Sequence, residues 1–122
     1  MVKKTTDLIK LSQEIRKKCI EISANNKIPH LGSCLSCSDI LTVLFWKEMN
    51  LNPKGKDIDQ FILSKGHASP VYLQVLAKRG YFKESKLNRF GENGSIFHEH
   101  PPHPKMLNGV KGATGSLGHG FS

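Results

Sequence analysis

An α/β fold is predicted by three neighbouring observations. Phe61-Ile62-Leu63 is an apolar run too short for a helix, and it passes abruptly into the polar, flexible Ser64-Lys65-Gly66-His67. A helix of about Pro70 to Arg79 then follows. Ser69 is suited to cap it, Pro70 to its first turn, and Gly80 to the left-handed conformation that ends it. In an open α/β sheet, ligands sit in the crevice beyond the carboxyl ends of the strands, where helix amides favour anions. Lys65 and His67 are therefore read either as groups facing an anionic ligand or as solvated turn residues.

The flanking elements are read in chain order. From about Asp7 to Asn25 the residues Leu8, Leu11, Ile15, Cys19 and Ile22 recur at three- and four-residue steps, which makes one apolar helical face. Glu14 and Lys18 stand one turn apart on its wet side. Asn26 to Ser33 reads as a loop, because Pro29 removes an amide and Gly32 permits close backbone approach. His30 within it is a surface imidazole or a ligand-reading group. Ser36-Cys37-Ser38-Asp39 has capping-box spacing ahead of Ile40-Leu41-Thr42-Val43-Leu44-Phe45-Trp46. That run is apolar around most of a helix and is expected to be buried from several directions, against the sheet or a second subunit.

After Gly80 a short amphipathic piece, about Glu84 to Phe90, places Leu87 and Phe90 inward. Three prolines in His98-Glu99-His100-Pro101-Pro102-His103-Pro104 forbid a helix and give an extended, stiff loop. The run from Gly112 to Ser122 is dense in glycine, which lets backbone amides approach a phosphate closely; it also reads as a flexible end.

Composition narrows the function classes. A chain of 122 residues holds one domain at most, with about two thirds of its unfolded surface buried and modest independent stability. With 38% apolar and 23% charged residues it is globular rather than disordered. No apolar run reaches the ~20 residues of a membrane span and the start lacks a secretory core, so a cytoplasmic location without membrane association is expected. The net charge of +8 is spread along the chain without interleaved aromatics, which argues against nucleic acid and for anionic substrates such as sugar phosphates. Three cysteines make no disulfide framework. Cys34 and Cys37 form a C-x-x-C pair, open to a redox role or to half a zinc site completed by His98, His100 or His103. Cys19 lies on the apolar helical stripe and reads as a small core residue.

Four stretches, taken together, resemble the start of transketolase in order and spacing. They are His30-Leu31-Gly32-Ser33, Ser64-Lys65-Gly66-His67-Ala68, Pro102-His103-Pro104 and Ala113-Thr114-Gly115-Ser116-Leu117-Gly118-His119-Gly120. The resemblance covers most of the chain from about Leu8. It implies the diphosphate-binding half of a thiamine diphosphate enzyme, a truncated parallel sheet with helices on both faces, and transfer of a two-carbon ketol unit between sugar phosphates in the pentose phosphate pathway. It implies that Lys65, His67, Ser33, Gly115, Ser116 and Leu117 bind the cofactor, while His30 and His103 contact donor hydroxyls and assist proton transfer. Histidine suits that task because it titrates near neutrality.

The sequence also departs from the family. Ile28-Pro29 replaces the Ser-Gly before the first histidine, Leu31 replaces proline, and His119 replaces a glutamine; His-Leu-Gly-Ser is similar to deoxyxylulose-phosphate synthase as well. The Gly-Asp-Gly and asparagine that hold magnesium or calcium in the family, and its pyrimidine-binding domain, fall beyond Ser122. The expected protein is thus an amino-terminal piece of transketolase, or the small subunit of a split one, in a homo- or hetero-oligomer such as a dimer and inactive alone. The alternatives are a non-catalytic scaffold subunit whose apolar second helix docks a partner, and a zinc module.

Overall fold

The structure is a computed structural model and describes residues 4–26, 31–89 and 108–110. Its three main helices are α1 (Thr5–Asn26), α2 (Leu31–Val43) and α3 (Ser69–Arg79). A π-helical turn, Leu44–Glu48, continues α2, and 3-10 turns occupy Gly66–Ala68 and Glu84–Arg89.

The α1 stripe packs as its spacing requires, with Leu8, Ile15 and Cys19 buried and Leu11 and Ile22 against the same core. Its wet face pairs differently from the sequence expectation. Glu14 reaches Lys78 of α3 at 3.5 Å, and Lys18 pairs with Glu21 at 3.5 Å. A polar clamp fastens α1 to α2: Arg16 donates to Asp39 at 2.6 Å and to Ser38 Oγ at 2.9 Å, and Ser12 donates to the other Asp39 oxygen.

Helix α2 begins earlier than its apparent capping signal. Gly32 and Ser33, read as loop, are helical, and the Ser36 to Asp39 box lies inside the helix. Ser36 and Ser38 bond back to the carbonyls of Ser33 and Leu35, and Asp39 is drawn to Arg16, so none of these side chains caps an amide. The expected burial from several directions is only partly found. Leu41, Phe45 and Trp46 are buried, but Ile40 is 61% and Val43 39% exposed.

Helix α3 occupies the centre. Every residue from Ser69 to Ala77 is buried. Gly80 ends the helix at φ 105°, with Gly80 N donating to Ala77 O and Tyr81 N to Leu76 O, the left-handed termination that favours glycine. The N-terminus departs from expectation. Ala68 holds the cap position without a side-chain bond, and the buried Ser69 Oγ has no hydrogen-bond partner.

No strand occurs among the described residues, so the parallel sheet is not seen there. Phe61-Ile62-Leu63 is nevertheless extended, with the alternation of a strand: Phe61 and Leu63 turn to the core and Ile62 is 43% exposed. A strand needs a ladder partner, and none is described beside it. Phe61 instead joins an aromatic cluster, with ring centroids 5.4 Å from Phe45 and 5.5 Å from Tyr72. The chain after α3 is held by polar contacts. Asp57 accepts from Tyr81 Oη and Asn52 N, each at 2.6 Å, and Asn108 donates to Tyr81 O at 3.2 Å.

Candidate functional site

The extended segment ends at Leu63, and the chain then turns through Ser64 and Lys65 into the Gly66–Ala68 turn, which runs directly into α3. Ala68 N closes that turn on Lys65 O at 2.9 Å. His67 is therefore delivered to the start of an eleven-residue helix, where the first amides lack intrahelical acceptors and the helix dipole is positive. This end of the helix suits an anion.

The Lys65 side chain does not extend into water. Its Nζ donates to Ser33 O at 3.1 Å and to Ser36 Oγ at 2.6 Å, both on the first turns of α2. Of the sequence-predicted cofactor residues, the structure thus joins Lys65 to Ser33 and sets His67 two residues beyond Lys65. His30, His103, Gly115, Ser116 and Leu117 lie outside the described residues, as do His98 and His100. A hollow of about 320 Å³ lined by residues that include Lys18, Glu21, Gln74 and Glu84 lies between α1, α3 and the Glu84–Arg89 turn, and neither Lys65 nor His67 lines it.

Beneath the turn lies a group of thiols that spacing alone did not bring together. Cys19 of α1 and Cys34 of α2 are both buried, and the Cys19 thiol hydrogen-bonds to Cys34. That bond draws the Cys34 thiol below its ordinary range; the Val71 amide of α3 and the Lys65 charge act in the same direction, against burial. The Cys34 hydrogen bond pushes Cys19 upward, and burial adds to this. Cys37 is raised chiefly by burial, with the Lys65 charge opposing. All three cysteines are free, and Cys37 donates to Ser33 O at 3.3 Å. Among the described residues no group of three or more His, Cys, Asp or Glu side chains is arranged to hold a metal, so the zinc reading of Cys34 and Cys37 gains nothing there.

Sequence reasoning missed Ser36 and the unpartnered Ser69 Oγ. The signal for Ser36 was present, since it follows Ser33 by one helical turn and so shares its face. Its partner Lys65 lies 29 residues away, a separation that no local pattern spans.

The geometry agrees with comparisons to known proteins. A family model described as transketolase, thiamine diphosphate binding domain, matches residues 9–122. One of the two subunits of an apulose-4-phosphate transketolase from Phocaeicola vulgatus is 35% identical over 114 residues, covering 91% of this chain and 40% of that protein. The 6-deoxy-6-sulfo-D-fructose transketolase subunit SqwG of Clostridium sp. is 32% identical over 125 residues, covering 100% of this chain and 45% of that protein. This chain therefore spans less than half the length of these two relatives. Transketolase from Leishmania mexicana superimposes with a TM-score of 0.85 at 26% identity, over 99% of this chain and 18% of that one. With a family match over nearly its whole length and a helical frame shared with a solved member, the chain belongs to the transketolase family, within its thiamine diphosphate-binding domain.

Proposed function

We propose that the chain is the diphosphate-binding portion of an enzyme that moves a two-carbon ketol unit between sugar phosphates, and that it works with a pyrimidine-domain partner. The observation that carries this reading is the Gly66–Ala68 turn, which brings His67 to the α3 N-terminus beside an ammonium fixed on α2. Free helix amides, an imidazole and a nearby positive charge suit the oxygens of a diphosphate. The buried Ser69 Oγ adds a polar group without a partner in the first turn of α3.

When bound, thiamine diphosphate supplies the electron sink for the reaction. His67 hydrogen-bonds the diphosphate, and Ser33, Gly115, Ser116 and Leu117 line the cofactor. His30 and His103 orient donor hydroxyls and move protons, which a neutral-range imidazole does in both directions. The described residues offer no carboxylate cluster for magnesium or calcium, so the counter-ion falls to residues other than these. The relatives named as transketolase subunits support a divided enzyme. The exposure of Ile40 and Val43 favours a second reading, a scaffold subunit whose α2 face docks a partner.

Calorimetric titration with thiamine diphosphate and magnesium, with and without a pyrimidine-domain subunit, separates the two. Cofactor affinity in the mixture supports the divided enzyme, and none in either arm supports the scaffold. A transketolase assay on this chain alone is expected to show no turnover; robust activity would refute the divided enzyme.

A further inference from the structure

The Lys65 ammonium has three protons to donate, and α2 takes two of them, through Ser33 O at 3.1 Å and Ser36 Oγ at 2.6 Å. Ser36 donates its own proton to Ser33 O at 3.0 Å, so its hydroxyl oxygen is left to accept from Lys65. The same lysine closes the histidine turn through its backbone, because Ala68 N bonds to Lys65 O at 2.9 Å. One residue thus ties the turn to α2 by its side chain and to α3 by its main chain. To wrap a phosphate, the ammonium would first have to give up two hydrogen bonds that its charge strengthens.

We propose that Lys65 is a positioning residue rather than a phosphate ligand, and that Ser36 is its partner: together they clip the histidine turn to α2 and fix where His67 stands at the start of α3. The meaning of this clip for a cofactor rests on the divided-enzyme reading above; the clip itself does not. Ser36 is exposed, so removing its hydroxyl leaves the core intact. Cys37, one residue along α2, provides a local reporter, since the Lys65 charge opposes the effect of burial on its thiol.

The test compares wild type, Ser36→Ala, Ser36→Thr, Lys65→Met and the Ser36→Ala/Lys65→Met double variant, without cofactor. One readout is the position of the His67 ring signals in carbon–proton NMR spectra. The other is the rate of Cys37 alkylation by iodoacetamide at pH 8, followed by peptide mass spectrometry. Ser36→Ala is expected to shift the His67 signals in the same direction as Lys65→Met, and both are expected to slow Cys37 alkylation by roughly two- to fivefold through loss of thiolate. The double variant should add nothing to Lys65→Met, and Ser36→Thr should restore wild-type behaviour.

A wild-type His67 spectrum and Cys37 rate in Ser36→Ala would overturn the proposal, whether or not Lys65→Met changes them. So would a cofactor titration in which Lys65→Met loses affinity and Ser36→Ala loses none, the pattern of a direct ligand. Failure of the wild type to bind thiamine diphosphate in any mixture counts against the divided enzyme alone, because the spectral and alkylation readouts need no cofactor.

Discussion

Helices α2 and α3 reverse the order of burial that their sequences suggest. The second half of α2 and its π-helical extension, Ile40 to Trp46, form the most continuous apolar run in the chain, yet Ile40 and Val43 face outward. Helix α3 carries Ser69, Tyr72 and Gln74 among its apolar residues and is buried without a break from Ser69 to Ala77. Position decides this difference. Helix α3 is packed against both other helices, against Leu63 and Phe61, and against the chain that returns at Val110, whereas α2 has neighbours on one side. Apolar composition therefore measures what a helix is able to bury, and its place in the layering determines what it does bury.

The sharpest test of the contrast is Leu73→Ala in α3. Leu73 has no exposed surface, so truncation removes buried methyl groups and leaves a cavity; a loss of about 2–5 kcal/mol is expected, read as a lower urea midpoint. A loss under ~1 kcal/mol would show that α3 is not the centre of the core in solution.

A smaller effect is expected from Tyr81→Phe, just beyond α3, where the phenol is buried and donates to Asp57 at 2.6 Å. Losing that donor costs about 1–3 kcal/mol at neutral pH. The same residue carries a pH signature. Burial first, and then Asp57, push the phenol above its ordinary range, so the fold favours the neutral form. Its contribution is complete below the unfolded value of about 10 and is lost as pH rises beyond it. Denaturation midpoints measured from pH 8 to 11 should fall at the alkaline end for wild type and fall less for Tyr81→Phe.

The smallest effect belongs to the open face of α2. Ile40→Ser is expected to stay within about 0.5 kcal/mol of wild type, because that side chain is already mostly in water. A cost matching Leu73→Ala, measured by the same denaturation, would mean that this face is covered in solution and would erase the contrast.

Much of this frame is legible where the relevant forces are local. The α1 stripe from Leu8 to Ile22 follows from helical spacing alone, and α3 runs Ser69–Arg79 against a reading of about Pro70 to Arg79, because Pro70 and Gly80 restrict the backbone at its ends. Elements governed by competition were less legible. Ser36 to Asp39 looks like a cap but lies within α2, because Arg16, 23 residues earlier, claims Asp39. Phe61 to Leu63 has a strand's alternation, but its assignment depends on a partner that sequence does not identify and the described residues do not include. At the site, the sequence selected Ser33, Lys65 and His67 by their resemblance to transketolase. It gave no sign that Lys65 is already engaged by α2, since that bond depends on how two helices meet rather than on either segment.

The sulfur of Cys34 has a mechanical consequence. It belongs to α2, takes the thiol hydrogen of Cys19 from α1 and accepts the Val71 amide at the head of α3. One atom is thus shared by three rods, like a pin through crossed struts. Swinging α3 aside carries an amide off the pin, and sliding α1 carries a thiol off it. A disturbance at the mouth of α3 therefore reaches α1, on the far side of the pin, without any intervening loop.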